Sequence, residues 1–269
     1  MLEDYTPQSN FPYLIGVYLA VNALPDAYLY VDGPDCAFYK AQFIFGKHDQ
    51  NSTLVDSEGS HRIRMSDVTV NRVVTDRTPL LKTSIREISA IQNCSLVFLT
   101  SMPMATITGT QYDLLLRDLQ PELEKPLVEI PALSLSGDWL DGYAETLAAL
   151  AQSIPCTGTP ERGKVAIIGN MMDRNERDHL ANVEELERMV RGLGLDPVSI
   201  WLSGRPLAHL SRAGEAETII SLPHGRKAAR ILAKRTGALI IETDIPFGLK
   251  PTIDWLSQIA EFLQCESDA

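Results

Sequence analysis

The sequence predicts an α/β protein of two doubly wound, Rossmann-like lobes that face each other across a cleft. Short, nearly continuous apolar runs alternate with longer amphipathic segments, which is typical of parallel sheets covered by helices on both faces. One stretch rich in Pro, Gly and Thr, IPCTGTPERG at residues 154–163, interrupts this alternation and is typical of a linker. We therefore predict a first lobe over residues 1–158 and a second over residues 159–269.

In the first lobe, each apolar run is predicted as a strand and each segment with one apolar face as a helix. The strand at Ala27–Val31 ends at the turn signal Asp32-Gly33-Pro34, and the last helix begins in the acidic turn Gly137-Asp138. Strands are expected at Ala27–Val31, Asp67–Val74, Ser95–Thr100 and Leu127–Ile130, and helices at Thr78–Gln92, Gln111–Glu124 and Trp139–Ser153.

The second lobe repeats the pattern more regularly. Its first helix ends at Gly192 and Gly194, which are suited to a C-terminal cap, and its last helix begins with Pro251 in the first turn. Strands are expected at Lys164–Ile168, Ser199–Leu202, Glu217–Ser221 and Leu239–Glu242, and helices at Asp178–Gly192, Leu207–Arg212, Gly225–Arg235 and Pro251–Gln264.

Charge and composition exclude several classes of protein. Asp and Glu number 35 against 24 Lys and Arg, a net charge of −11, whereas nucleic-acid binders usually carry a basic stripe. The apolar stretch near the N-terminus is interrupted by Gly16, Asn22 and Pro25, well short of a membrane span, and it lacks the features of a signal peptide. We expect no nucleic-acid partner, no membrane association and a cytoplasmic location.

In folds of this class, ligands bind outside the carboxyl ends of the parallel strands. We therefore expect the loops that leave those ends to line the cleft. In the first lobe they are Asp32–Cys36, Thr100–Ala105 and Ser134–Asp138, and in the second they are Gly169–Asp173, Ser203–Pro206, Leu222–Gly225 and Thr243–Leu249.

These loops contain four candidate site residues, each with a structural alternative. Met102 and Met171 are suited to a soft wall for a planar or apolar ligand, or else they fill the core. Asp173 is a candidate acid–base group, although Asp also serves in turns and caps. His224 is a candidate ligand contact, proton donor or metal ligand, or a capping and packing residue.

Four segments match a known family in order along the chain. Gly33-Pro34-Asp35-Cys36 is similar to a Gly-Pro-x-x-Cys turn, here one residue shorter, and residues 95–109 resemble a strand that ends in a cysteine-containing loop. Residues 130–150 and 245–255 resemble two further segments, one with a Ser-Gly turn and Gly-Tyr and one with Pro-x-Gly-x-x-x-Thr-Asp. Together they resemble the nitrogenase component 1 type oxidoreductases, which include nitrogenase subunits, cofactor-assembly scaffolds and tetrapyrrole reductases, although about one lobe of the usual chain is missing.

The resemblance implies an iron–sulfur cluster at a subunit interface, because family members hold one there through cysteines. Only Cys36 falls on a matching position, while Met102 and the segment 9–12 stand where other cysteines are expected. Two chains would supply two Cys36 thiolates, with Asp35 or another oxygen ligand completing the site. Gly33 would allow close approach of a ligand. The alternative is that Cys36 is a small residue packed at a tight turn.

The resemblance also implies partner proteins and leaves three alternative functions open. The first is a nitrogenase-like reductase component, in a homodimer or a heterodimer with a related chain. It would take electrons from a separate ATP-dependent iron–sulfur protein to reduce a small molecule or tetrapyrrole in the cleft. The second is a non-catalytic protein that binds or assembles a metallocofactor or small molecule. The third is that the chain is one part of a larger heteromeric enzyme.

The resemblance also implies a structural feature of the last helix. In the family the terminal helix can return to pack on the first lobe, and the same is expected here.

Overall fold

The protein contains two parallel four-stranded sheets flanked by helices. It is represented by a computed structural model that describes residues 11–267 apart from residues 48, 56–60, 70–74 and 172–177. The α/β class predicted from the sequence is confirmed. No helix within the described residues is long and apolar enough to cross a membrane.

The first sheet has the strand order β2-β1-β3-β4, and all its pairs are parallel. Helices cover both of its faces. The strands are β1 (Ala27–Asp32), β2 (Ile63–Met65), β3 (Leu96–Ser101) and β4 (Leu127–Glu129), and the helices are α1 (Tyr13–Asn22), α2 (Cys36–Lys47), α3 (Thr78–Ser89), α4 (Pro103–Thr106), α5 (Tyr112–Leu119) and α6 (Trp139–Ser153).

The second sheet repeats this arrangement in the order β6-β5-β7-β8, again with parallel pairs. The strands are β5 (Glu161–Ile168), β6 (Asp196–Ile200), β7 (Ala216–Ser221) and β8 (Leu239–Glu242), and the helices are α7 (Asp178–Gly192), α8 (Leu207–Ser211), α9 (Arg226–Thr236) and α10 (Leu249–Ser267).

Each sheet has an outer core and shares an inner core with the other sheet. Residues of β1 and β3 pack outward against α3 and α5, and residues of β5 and β7 pack outward against α7 and α10. The inner faces of both sheets belong to one continuous cluster, which includes α1, α6 and α9. The two lobes are therefore joined through packed helices as well as through the linker. The division after residue 158 stays a prediction.

The closest helix contact in this shared core is between α1 and α6, and it depends on two glycines. A Cβ atom at Gly16 would overlap the backbone carbonyl of Trp139, and one at Gly142 would overlap the carbonyl of Tyr13. The helices thus pack backbone against backbone. Asp138 starts α6 with a capping box, in which its side chain accepts hydrogen bonds from the N–H groups of Leu140 and Asp141.

Two expectations about the elements are wrong. The strand expected at Asp67–Val74 is replaced by β2, which lies earlier and has three residues, while residues 66–69 form no strand and residues 70–74 lie outside the described part. The terminal helix α10 does not return to the first lobe, because its buried residues Trp255 and Ile259 lie in the outer core of the second sheet. Trp255 Nε1 also donates a 2.9 Å hydrogen bond to Thr243 Oγ1, directly after β8.

Candidate functional site

The first candidate position is the carboxyl end of β1 and β3, where the chain order in the sheet reverses and ligands of doubly wound folds bind. Gly33 follows β1 and Met102 follows β3, and the Met102 N–H donates a 2.9 Å hydrogen bond to the Asp32 carbonyl. A Cβ atom at Gly33 would lie 2.7 Å from Met102 Cγ and 2.8 Å from Sδ. The structure therefore brings two of the predicted residues, Gly33 and Met102, into direct contact.

The turn after Gly33 leads directly into α2. Asp35 is exposed, and its carbonyl accepts a hydrogen bond from the Phe38 N–H at 2.9 Å. Cys36 is the first residue of α2 and is half-buried. Its Sγ lies 3.8 Å from Lys40 Nζ. A thiol with a neighbouring ammonium group thus follows the glycine at this strand end.

Asp32 anchors the same strand end from the opposite face of the sheet, in a network that the sequence did not reveal. Its carboxylate is fully buried and forms an ion pair with Arg77 at 3.0 Å, where Arg77 is itself buried. Ser66 Oγ donates to one carboxylate oxygen at 2.7 Å, and the Tyr112 hydroxyl donates to the other at 2.6 Å. Burial and the carboxylate of Asp32 raise the pKa of Tyr112 well above its usual value, so its hydroxyl keeps its proton.

The network connects four segments to the end of β1. The Arg77 guanidinium also donates to Thr108 Oγ1 and Thr110 Oγ1 at 3.1 and 3.2 Å. An open cavity of about 880 Å³ adjoins these groups. It lies between α3 and α5, so it is on the opposite side of the sheet from Cys36, and it does not bring the predicted site residues together.

The second candidate position is the carboxyl end of β5 and β7, the corresponding point of the second sheet. Gly169 follows β5 with a positive φ of 104°, and a Cβ atom there would lie 2.5 Å from the backbone nitrogen of Gly225. His224, in the same turn as Gly225, and Met171 are both half-buried. Met171 packs against the shared core. Asp173 lies outside the described residues.

The N-terminal half of α6 links the carboxyl ends of the two sheets. The Tyr143 hydroxyl donates a 2.7 Å hydrogen bond to the carbonyl of Asn170, after β5. Glu145 pairs with Lys227 in the first turn of α9 at 2.6 Å. Both contacts lie within two turns of the start of α6, which itself follows β4. These contacts support the expectation that the strand-end loops of both lobes open on one side of the molecule.

A complete set of ligands for an iron–sulfur cluster is not formed by the described residues of one chain. Such clusters usually take four thiolates, and the described residues contain no group of three or more His, Cys, Asp or Glu side chains placed to hold a metal ion. Cys94 is buried before β3, at the amino end of the sheet, and the six-residue strand β3 separates it from the Cys36 end by about 20 Å. Cys94 therefore lies too far from Cys36 to share a site with it.

The short helix α8, which follows β6, contains a histidine that should make the stability of the protein depend on pH. His209 Nε2 accepts a 2.9 Å hydrogen bond from the Ile200 N–H. Burial, with the positive charges of Arg205 and Arg212 outweighing the negative charge of Glu187, lowers the pKa of His209 to about 4. The neutral ring is therefore favoured in the folded protein. The contribution of His209 to the free energy of unfolding is fully present above pH ~6.5, the usual pKa of histidine. This contribution is lost as the pH falls towards 4.

We expect wild type to lose about 1–2 kcal/mol more stability than His209→Gln between pH 7 and pH 4.5, after allowance for solvent screening. Urea unfolding of both proteins at the two pH values measures this difference. Because the variant keeps every other titrating group, equal losses in the two proteins would show that His209 does not contribute.

Comparisons with known proteins agree with the two-sheet architecture. The solved structure described as nitrogenase Cp1 at pH 6.5 superposes with a TM-score of 0.76 at 14% identity, covering 97% of this chain and 62% of that one. The structure of nitrogenase Cp1 at pH 5 gives a TM-score of 0.63 at 11% identity, covering 86% of this chain and 46% of that one. At these identities, the similarity establishes the fold of a two-lobed α/β protein.

The family follows from the sequence comparison. The model of the nitrogenase component 1 type oxidoreductases matches residues 13–269, so the chain belongs to this family. The nitrogenase iron-molybdenum cofactor biosynthesis protein NifN of Nostoc sp. (strain PCC 7120) is 25% identical in an alignment of 169 residues that covers 55% of this chain and 35% of NifN. The chain thus spans about a third of that relative and under two thirds of nitrogenase Cp1.

Proposed function

We propose that this chain is a binding or assembly member of its family, which holds a metallocofactor or another small molecule at the Gly33–Cys36 turn for a partner protein. The observation that carries the proposal is the composition of this strand end. The turn that resembles the Gly-Pro-x-x-Cys turn of the family carries Cys36 at the start of α2, while the neighbouring strand end carries Met102 in contact with Gly33. A ligand held by one thiolate and a soft thioether wall has fewer bonds to break on release than a cluster held by four thiolates.

Two further features support this proposal. NifN, to which the chain is similar, is named as a cofactor biosynthesis protein. The Asp32–Arg77 pair fixes the end of β1 from the other face of the sheet, so the turn is supported before any ligand arrives. A preorganised turn loses little conformational freedom on binding.

The second candidate function is that of a reductase component. The position of Cys36 on the family turn, 3.8 Å from Lys40 Nζ, favours it. In this case the cluster would lie between two chains, each giving one Cys36, with Asp35 or another oxygen ligand. Electrons would come from a separate ATP-dependent iron–sulfur protein, and Met171, Asp173 and His224 would face the substrate.

Cluster capture tests the proposal. A synthetic [4Fe–4S] cluster with exchangeable thiolate ligands is added without oxygen to protein that has been purified without oxygen, and iron and sulfide per chain are measured after gel filtration. We expect wild type to retain the cluster and Cys36→Ala to lose it. Cys156→Ala is the matched control, since Cys156 is also half-buried, and it should behave as wild type. Equal retention by the Cys36→Ala and Cys156→Ala variants would contradict the proposal.

The two functions differ in the protein as purified. A binding or assembly protein should gain its iron and sulfide only after the cluster is added. A reductase component should already contain both, in amounts that Cys36→Ala abolishes, and dithionite should change its visible spectrum.

A further inference from the structure

A second concave region lies at the opposite end of the first sheet. It has a volume of about 1030 Å³, at the upper limit of the roughly 300–1,000 Å³ usual for small-molecule sites. It borders Pro25 and Asn93, which precede β1 and β3, and the side of α2 that carries Phe38 and Phe45. We call it the amino-edge pocket. It is separate from the carboxyl-end positions described above.

The walls of the amino-edge pocket are aromatic. Phe38 and His61 form an edge-to-face ring pair with centroids 4.9 Å apart and an interplanar angle of 62°. Phe45 is 49% exposed, which is high for an aromatic side chain on a helix that packs against a sheet. Tyr28 contributes a fourth ring. Rings arranged in this way offer faces and edges to a flat aromatic molecule.

The floor of the pocket is held rigidly by Arg62, which is buried. Its guanidinium donates hydrogen bonds to the carbonyls of Val21, Leu24 and Ala27 at 3.0, 3.1 and 2.7 Å, at and beyond the end of α1. Its Nε donates to Thr53 Oγ1 at 3.0 Å. These bonds join α1, β1 and the segment before β2 into one support, so the pocket is largely formed without a ligand.

The charged and polar residues that line the amino-edge pocket determine which ligand charge it favours. The described lining includes the Arg62 cation and the amide side chains of Gln42 and Asn93, and no carboxylate occurs among the described lining residues. The chain as a whole has a net charge of −11, so the described lining is less negative than the average of the chain. It favours a neutral or anionic ligand over a cation. The amides of Gln42 and Asn93 can each donate and accept hydrogen bonds.

We propose that the amino-edge pocket binds a planar aromatic or heteroaromatic small molecule that is neutral or singly anionic, with its ring between Phe45 and the Phe38–His61 pair. This site is independent of the Cys36 site and of the proposed function.

Binding of 8-anilinonaphthalene-1-sulfonate, a flat aromatic anion that fluoresces when bound, tests the proposal. We expect saturable binding of one dye molecule per chain. Phe45→Ala should weaken it about 10-fold, which corresponds to the loss of one aromatic contact. Because Phe45 is half-exposed, this variant should fold, and its circular dichroism and thermal unfolding verify that it does. Gln42→Leu is a second variant of the pocket lining. It replaces an exposed amide side chain, so it should also weaken dye binding while leaving the fold unchanged.

Two controls separate this pocket from other surfaces. Phe247→Ala removes a side chain that is 86% exposed after β8, and it should leave binding unchanged. A flat cationic dye of the acridine type should bind at least about 10-fold more weakly, because the lining repels it. The proposal is overturned if saturable binding is absent, if Phe247→Ala and not Phe45→Ala weakens it, or if the cation binds as tightly as the anion.

Discussion

Replacing Gly16 by alanine should destabilise the protein by about 3 kcal/mol or more. The added Cβ would overlap the backbone carbonyl of Trp139, and since two helix backbones cannot yield as a flexible side chain does, α1 and α6 must separate. Overpacking of well-packed cores usually costs about 1–3 kcal/mol, and a clash with a backbone lies at the upper end of that range or beyond it. Urea unfolding followed by circular dichroism measures the loss.

Gly46→Ala is the matched control for this substitution. Gly46 also lies in a helix, but among the described residues no atom outside its own helix lies within 4 Å of the position that its Cβ would take. Alanine there should stabilise the protein by about 0.5–1 kcal/mol, because it restricts the unfolded chain and favours the helix. Unfolding of both variants at the same urea concentration would mean that the α1–α6 contact is not as tight as the structure shows.

The second large effect should come from the buried pair Asp32 and Arg77. Arg77→Met leaves the fully buried carboxylate of Asp32 without its countercharge, and loss of one partner of a buried pair costs about 3–5 kcal/mol. Asp32→Asn should cost a similar amount, because it removes the carboxylate charge that faces the buried guanidinium of Arg77. The double variant should lose clearly less than the sum of the two, since neither charge then remains.

A double-mutant cycle by urea unfolding measures this coupling. Lys250→Met serves as the control, because Lys250 forms an ion pair with Asp254 on the surface, and such pairs contribute little. Additive losses at Asp32 and Arg77 would show that the two residues act independently.

The regular parts of the fold could be predicted where local signals mark both ends of an element. The predicted bounds of Trp139–Ser153 agree with α6, and the predicted end of Asp178–Gly192 agrees with that of α7, because Asp138 caps the first helix and Gly192 and Gly194 mark the end of the second. The helix α1 was not predicted, since each of its residues is buried and its sequence shows no apolar stripe. The short strand β2 was placed too late because alternation over a few residues does not define a strand's position.

The candidate site could be predicted only in part. Parallel topology brings the ends of neighbouring strands together, which is why Gly33 and Met102 meet. The partners of Asp32 were missed, because Arg77 and Tyr112 lie 45 and 80 residues further along the chain, and no spacing rule connects them. The aromatic lining of the amino-edge pocket likewise joins α2 to the segment before β2, whose contact depends on tertiary packing.

The inner core that both sheets share limits how the molecule can move. A wide hinge rotation of one lobe away from the other would pull α9 away from α6, break the Glu145–Lys227 ion pair and expose this core to water. Helices in such close contact can instead slide by small amounts while remaining packed. We therefore expect entry to the carboxyl-end sites to depend on rearrangement of the strand-end loops, with the two sheets remaining a nearly fixed frame.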